Sequence, residues 1–110
     1  MSRTALLFQT IDSVGEVVGN IMKPFEVGLH GWTFYNSGAA TYTVDFYKQP
    51  DPTNGKDPTA PAVAGATKIF SIALPAATSK EFYADKAIFF KYGVFAIASN
   101  AAVVGGVFWS

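Results

Sequence analysis

Residues 41–49, TYTVDFYKQ, alternate strictly: Tyr42, Val44 and Phe46 fall on one side and Thr41, Thr43, Asp45 and Tyr47 on the other. A period of two belongs to a β-strand, and one apolar face against one mixed face belongs to an antiparallel sheet with a wet side. Residues 25–36 also alternate, but in two phases, Val27 with Leu29 and then Trp32 with Phe34. The switch at His30-Gly31 predicts a β-bulge, where an extra residue re-aims the strand and glycine is common. Asn36-Ser37-Gly38 has the residue types of a turn. The two strands are therefore expected to form a hairpin.

Further strands follow from the same period. Residues 3–11 read as a first strand; their apolar run at 5–8 is too short for the roughly 7 to 15 residues of a signal-peptide core. In residues 12–23, Val14, Val17, Val18 and Ile21 have helical spacing behind a possible Asp12 cap. Gly15 and Gly19 would each cost a helix about 1 kcal/mol relative to alanine, so a loop with a short strand is expected instead. Residues 67–74 alternate through Phe70, Ile72 and Leu74 until Pro75 ends them. Residues 80–83 read as a short edge piece, and Asp85-Lys86 as a turn into 87–91. Residues 50–66 hold four of the six prolines, alternate nowhere, and read as a long exposed loop.

Residues 87–109 have only Lys91 as a charge and could by hydropathy span a membrane. Lys91 and Asn100 inside the segment oppose that, since lysine near mid-membrane costs a few kcal/mol. No basic residue flanks the far end. The runs 93–98 and 103–109 are rich in β-branched and aromatic residues, as strands buried on both faces are. With Ser99-Asn100-Ala101 as the turn, they predict a central hairpin. The chain thus reads as all-β, a single antiparallel β-sandwich over 1–110, jelly-roll-like, with about eight strands.

Composition narrows the function classes. Lys plus Arg and Asp plus Glu each number 8, so the net charge is zero. A nucleic-acid or acidic-membrane binder needs a basic footprint, so neither partner is expected. There are no cysteines for disulfides or thiolate metal sites. Only 15% of residues are charged and another 15% are aromatic. Few charges and many rings suggest an exterior partly covered by another protein. Trp32, Tyr35, Tyr47, Phe108 and Trp109 are the candidate interface residues.

Catalytic candidates are sparse. His30 is the one histidine, and a strand histidine beside Gly31 and Trp32 is more often structural than a catalytic base. The carboxylates Asp12, Glu16, Glu26, Asp45, Glu81 and Asp85 show no paired spacing. Asp51, Asn54 and Asp57 lack the alternating oxygens of a calcium loop, because prolines occupy positions 50 and 52. Gly105-Gly106 lies in a strand without the lysine or helix start of a phosphate loop. No enzyme activity, metal or cofactor is expected.

The order of features, GWTFYNSGAATYTVDFYK, then a strand ending LPA, then AIFFKYGVFAIASNAAVVGGVFW, resembles small β-sandwich proteins encoded among tailed-phage structural genes. The matching positions are Gly31, Asn36 and Gly38 of a G-x-x-x-x-N-x-G segment and the strand led by Gly93; the Pro-rich loop 50–66 departs from that pattern. The resemblance implies a non-enzymatic virion protein on the capsid surface. It would be a decoration or cement protein, usually a homotrimer, bound to the major capsid protein or to other virion proteins. The alternatives are a tail or fibre component, or a lectin-like module using Trp32, Tyr35 or Tyr47 as a sugar platform. Far-ultraviolet circular dichroism of the chain in detergent-free buffer should show a β-type spectrum. A helical double minimum, or a need for detergent, would restore the membrane reading of 87–109.

Overall fold

The structure, a computed structural model, describes residues 6–18, 27–48, 67–91 and 93–110. Eight strands run in the order β1 (Leu7–Thr10), β2 (Glu16–Val18), β3 (Val27–Asn36), β4 (Tyr42–Lys48), β5 (Thr67–Leu74), β6 (Ser79–Phe90), β7 (Val94–Ala98) and β8 (Val103–Trp109). They form two four-stranded antiparallel sheets, ordered β1-β8-β3-β6 and β2-β7-β4-β5. This is a jelly-roll β-sandwich. The Pro-rich segment 50–66, with Asp51, Asn54 and Asp57, lies outside the described residues.

The alternation on β4 and β5 maps directly onto the core: Val44, Phe46, Ile72 and Leu74 are buried, and Tyr42 and Phe70 pack against them. On β3 the expected bulge is present, with a register shift between Leu29 and Gly31 against both neighbouring strands. Its effect is to bring both phases onto one face: Val27 and Leu29 before it and Trp32 and Phe34 after it all meet the core. Without that extra residue the second half of the strand would bury the wrong set of side chains. Trp32 packs on Phe46, Phe70 and Phe82 at ring-centroid distances of 5.6, 5.2 and 4.6 Å, which ties the two sheets together. Tilted and stacked pairs of this kind add about 0.5–1.5 kcal/mol each beyond their burial.

Two expected hairpins are not there. β3 and β4 are consecutive but lie in opposite sheets, and so do β7 and β8. The backbone groups that would close a hairpin are engaged elsewhere. The Asn36 N–H donates to the Thr78 carbonyl and the Ser37 N–H to the Ala102 carbonyl. Gly38 N–H donates to Asn36 Oδ1 at 2.8 Å, an Asx turn that swings the chain across the sandwich rather than back along it. At the second corner Ala102 N–H bonds Asn100 Oδ1, while Ser99 N–H bonds the Thr43 carbonyl of β4, carrying the β7–β4 ladder one step on. Of consecutive strands among the described residues, only β4 and β5 pair.

A third expectation is corrected at Asp85-Lys86. The chain does not reverse there, and β6 is one strand from 79 to 90. Leu29 pairs with Ile88 and Gly31 with Tyr83, so residues 84–87 stand opposite His30 alone as a wide bulge. The polar pair marks a bulge in an edge strand, where such irregularities concentrate.

β8 lies between β1 and β3, and Gly105-Gly106 explains how closely. A Cβ at Gly105 (φ +130°) would sit 2.1 Å from the Thr33 carbonyl oxygen, and one at Gly106 2.1 Å from that of Gln9. The glycines let two backbones press on β8 from both sides.

Asn36 is the buried polar residue of the described core, at 0% exposure. Its Nδ2 reaches the carbonyls of Ala40 at 2.7 Å, Leu74 at 2.9 Å and Pro75 at 3.3 Å. Leaving the buried Leu74 carbonyl and the two part-buried ones without this donor costs roughly 1–3 kcal/mol, so Asn36→Ala should lose about 3 kcal/mol in urea unfolding. A loss within 0.5 kcal/mol, the usual range of a surface change, would show that the corner does not depend on this amide.

Candidate functional site

The outward faces of the two sheets differ in chemistry. On β2-β7-β4-β5 the exterior is polar and satisfied: Ser71 Oγ donates to Asp45, and Lys68 lies 3.6 Å from the same carboxylate. Of the apolar residues on that side, Ile97 is half-buried and Phe95 is only 1% exposed, because the backbone of Gly15 lies over its ring and Tyr47 packs beside it at 6.2 Å. Gly15 has φ +99° and is positioned by its own N–H bonding Asp12 Oδ1.

The exterior of β1-β8-β3-β6 is apolar and open. One row across its four strands reads Phe8, Phe108, Gly31, Tyr83. Phe8 and Phe108 pack tilted at 5.0 Å, and Phe108 meets Tyr83 at 5.7 Å across the glycine that has no side chain between them. On the adjoining side Phe89 pairs with Gly28, where a Cβ would lie 3.0 Å from the Phe89 ring. The Phe89 ring thus leans over Gly28, a cross-strand arrangement that stabilises a sheet edge, while at Gly31 it is the β6 backbone that comes close. Even so, Tyr83 is 63%, Phe89 62%, Leu6 55% and Phe8 49% exposed. Beyond this cluster Val104 and Tyr35, paired across β8 and β3, are also exposed.

At the centre of this face His30 Nε2 and Ser110 Oγ share a hydrogen bond of 2.8 Å. A histidine acting as base on a serine needs a third group to orient its ring. Among the described residues no carboxylate bonds His30. The described residues also contain no cluster of three or more metal-ligating side chains, and no helix among them is long and apolar enough to cross a membrane.

The interface residues expected from sequence do not share a surface. Trp32 and Trp109 pack against the core. Tyr47 lies on the outer side of the other sheet beside Phe95. Tyr35 and Phe108 are on the open face, and Phe108 is the member that sits within its aromatic cluster. Phe8, Tyr83, Phe89 and Leu6 were missed. Each is an ordinary alternating position of its strand, and only the strand order, which sequence did not disclose, brings them together.

No family model matches the chain, and no curated protein matches it. Among solved structures the chain is similar to the crystal structure of PirA, at 13% identity over 99% of this chain and 94% of that one, with a TM-score of 0.45. A likeness of that size carries no functional argument.

The open rings should be nearly dispensable for folding. Phe46→Ala, in the core, should cost about 3–5 kcal/mol in urea unfolding, whereas Tyr83→Ser and Phe89→Ser should each cost about 1 kcal/mol or less. Equal losses in both sets would mean that the outer rings serve the fold rather than an exterior contact.

Proposed function

We propose that the protein is a non-enzymatic structural component of a virion, decorating the capsid and working through protein–protein contact. The observation that carries the contact reading is the open aromatic face of β1-β8-β3-β6, on a sandwich whose other face, among the described residues, has no exposed large aromatic cluster and carries the Ser71–Asp45–Lys68 polar group. Contiguous exposed apolar surface on an otherwise ordinary exterior marks a site where something binds. Rings enriched and charges depleted are the composition of an interface centre.

The virion assignment rests on the resemblance to tailed-phage β-sandwich proteins. Its matching segments are residues 31–48, the strand ending at 74–76 and residues 87–109. Jelly rolls build both viral capsid proteins and lectins, so the architecture is compatible without choosing between them. In this reading the chain is a homo-oligomer seated on the major capsid protein or another virion protein, with no nucleic acid, membrane or cofactor taking part.

The test is the composition of the particle. Mass spectrometry of gradient-purified virions from cells carrying the gene should find the protein in many copies, and antibody labelling in the electron microscope should place it on the head. Labelling confined to the tail would move it to the tail or fibre class. Absence from purified particles would end the virion reading.

A further inference from the structure

We infer that the open face of β1-β8-β3-β6 is the contact between two copies of this chain, packed face to face about a twofold axis. The inference rests on the contact reading above and names the occupant of that face. A twofold pair also departs from the trimer that the phage resemblance implies.

The first argument is area. A whole aromatic side chain presents roughly 200 Å², so the exposed fractions of Leu6, Phe8, Tyr35, Tyr83, Phe89 and Val104 leave on the order of 600 Å² of apolar surface on one sheet face. That reaches the upper end of the largest patch a monomer normally leaves open. With the polar groups of Thr10, Thr33 and the β8 backbone between them, the face approaches the roughly 800 Å² per partner of a standard stable interface. Two sheets stacked at about 10 Å could bury it, making a four-layer sandwich.

The second argument is charge. The two rows that hold Leu6, Phe8, Phe108, Tyr83 and Phe89 contain no charged side chain; Glu81 lies in the next row, paired with Thr33. A different protein is usually selected by complementary charge, which this patch does not display. A second copy needs none, and with zero net charge two copies do not repel. The exposed charges beside it, Glu81, Asp85 and Lys86 in β6 and Lys91 just after it, are two of each sign. A twofold contact sets residue i against j and j against i, so each can face its opposite. A lipid surface would want a basic rim, and this one is balanced.

His30 Nε2 and Ser110 Oγ already bond each other, so these two atoms enter the contact with a partner in place.

The experiment is sedimentation velocity on the intact chain over a concentration series, with circular dichroism as the check on folding. Wild type should sediment as a dimer at micromolar concentration. Tyr83→Glu and Phe89→Glu put like charges against each other across the axis and should weaken dimerisation at least tenfold, while Tyr47→Glu on the opposite face should not. Because the chain has no cysteine, Tyr83→Cys and Phe89→Cys give a second readout that needs no charge in the sheet. Oxidation should cross-link at least one of them into dimers, and should leave Tyr47→Cys monomeric on a denaturing gel. Three results would overturn the inference: a monomer at every concentration, a trimer, or a dimer broken by Tyr47→Glu and not by the β6 changes. None of these touches the virion reading, which stands or falls on whether the protein is in purified particles.

Discussion

The side-chain amide of Asn36 is the constraint on which the sandwich turns. A jelly roll must carry its chain repeatedly from one sheet to the other, and each crossing takes backbone groups out of their ladders at a buried corner. Asn36 answers three of those carbonyls at once, on the β3–β4 connection and at the end of β5. Its backbone N–H takes Thr78 on the β5–β6 connection, and next to it Ser37 bonds the Ala102 carbonyl through both N–H and Oγ. One residue and its neighbour therefore lock three crossings together. An apolar residue of similar size would fill the space and leave the carbonyls unanswered, which in a buried corner is the expensive outcome.

That corner decides the order of strands, and the order of strands decides what the exterior looks like. Because β7 and β8 part company at residues 99–102, β8 returns to the first sheet and slots between β1 and β3. Phe8, Phe108 and Tyr83 become neighbours only then. Pairings so far apart in the chain are slow to find and add little until loop closure has been paid for. Gly105 and Gly106 belong to the same requirement, since the inserted strand must accept a backbone at close range on each side.

This also marks where sequence reading stops. The period of two, the bulge at His30-Gly31 and the end of β5 at Pro75 are local facts, written in the phase of the apolar residues and in single residue types. Each could be read from a few neighbours. The hairpin at Asn36-Ser37-Gly38 could not be judged, because an Asx turn uses the same residues whether the chain folds back on its own sheet or crosses to the other. Asp85-Lys86 was ambiguous in the same way between a turn and a bulge. Residues 93–109 do form two strands, but β7 and β8 lie in opposite sheets instead of pairing as a hairpin. The surface was less legible still. Trp32 and Trp109 are the largest rings but face inward, while Phe8 and Phe89 look like ordinary strand residues until their neighbours across the sheet are known.

The way the edges are built bears on how far such a surface can carry association. β6 is a long edge strand with apolar side chains, a form that invites another chain to add to its unpaired backbone. Lysines at 80 and 86 and the bulge at 84–87 stand against that, since charge and a broken ladder both spoil edge pairing. The broad face is left smooth while the edge is guarded. Edge pairing leaves a new edge free each time and can run on without end, whereas a twofold face contact covers both patches and stops at two. On the proposed twofold reading, an apolar face beside the defended β6 edge favours a closed assembly over a fibre.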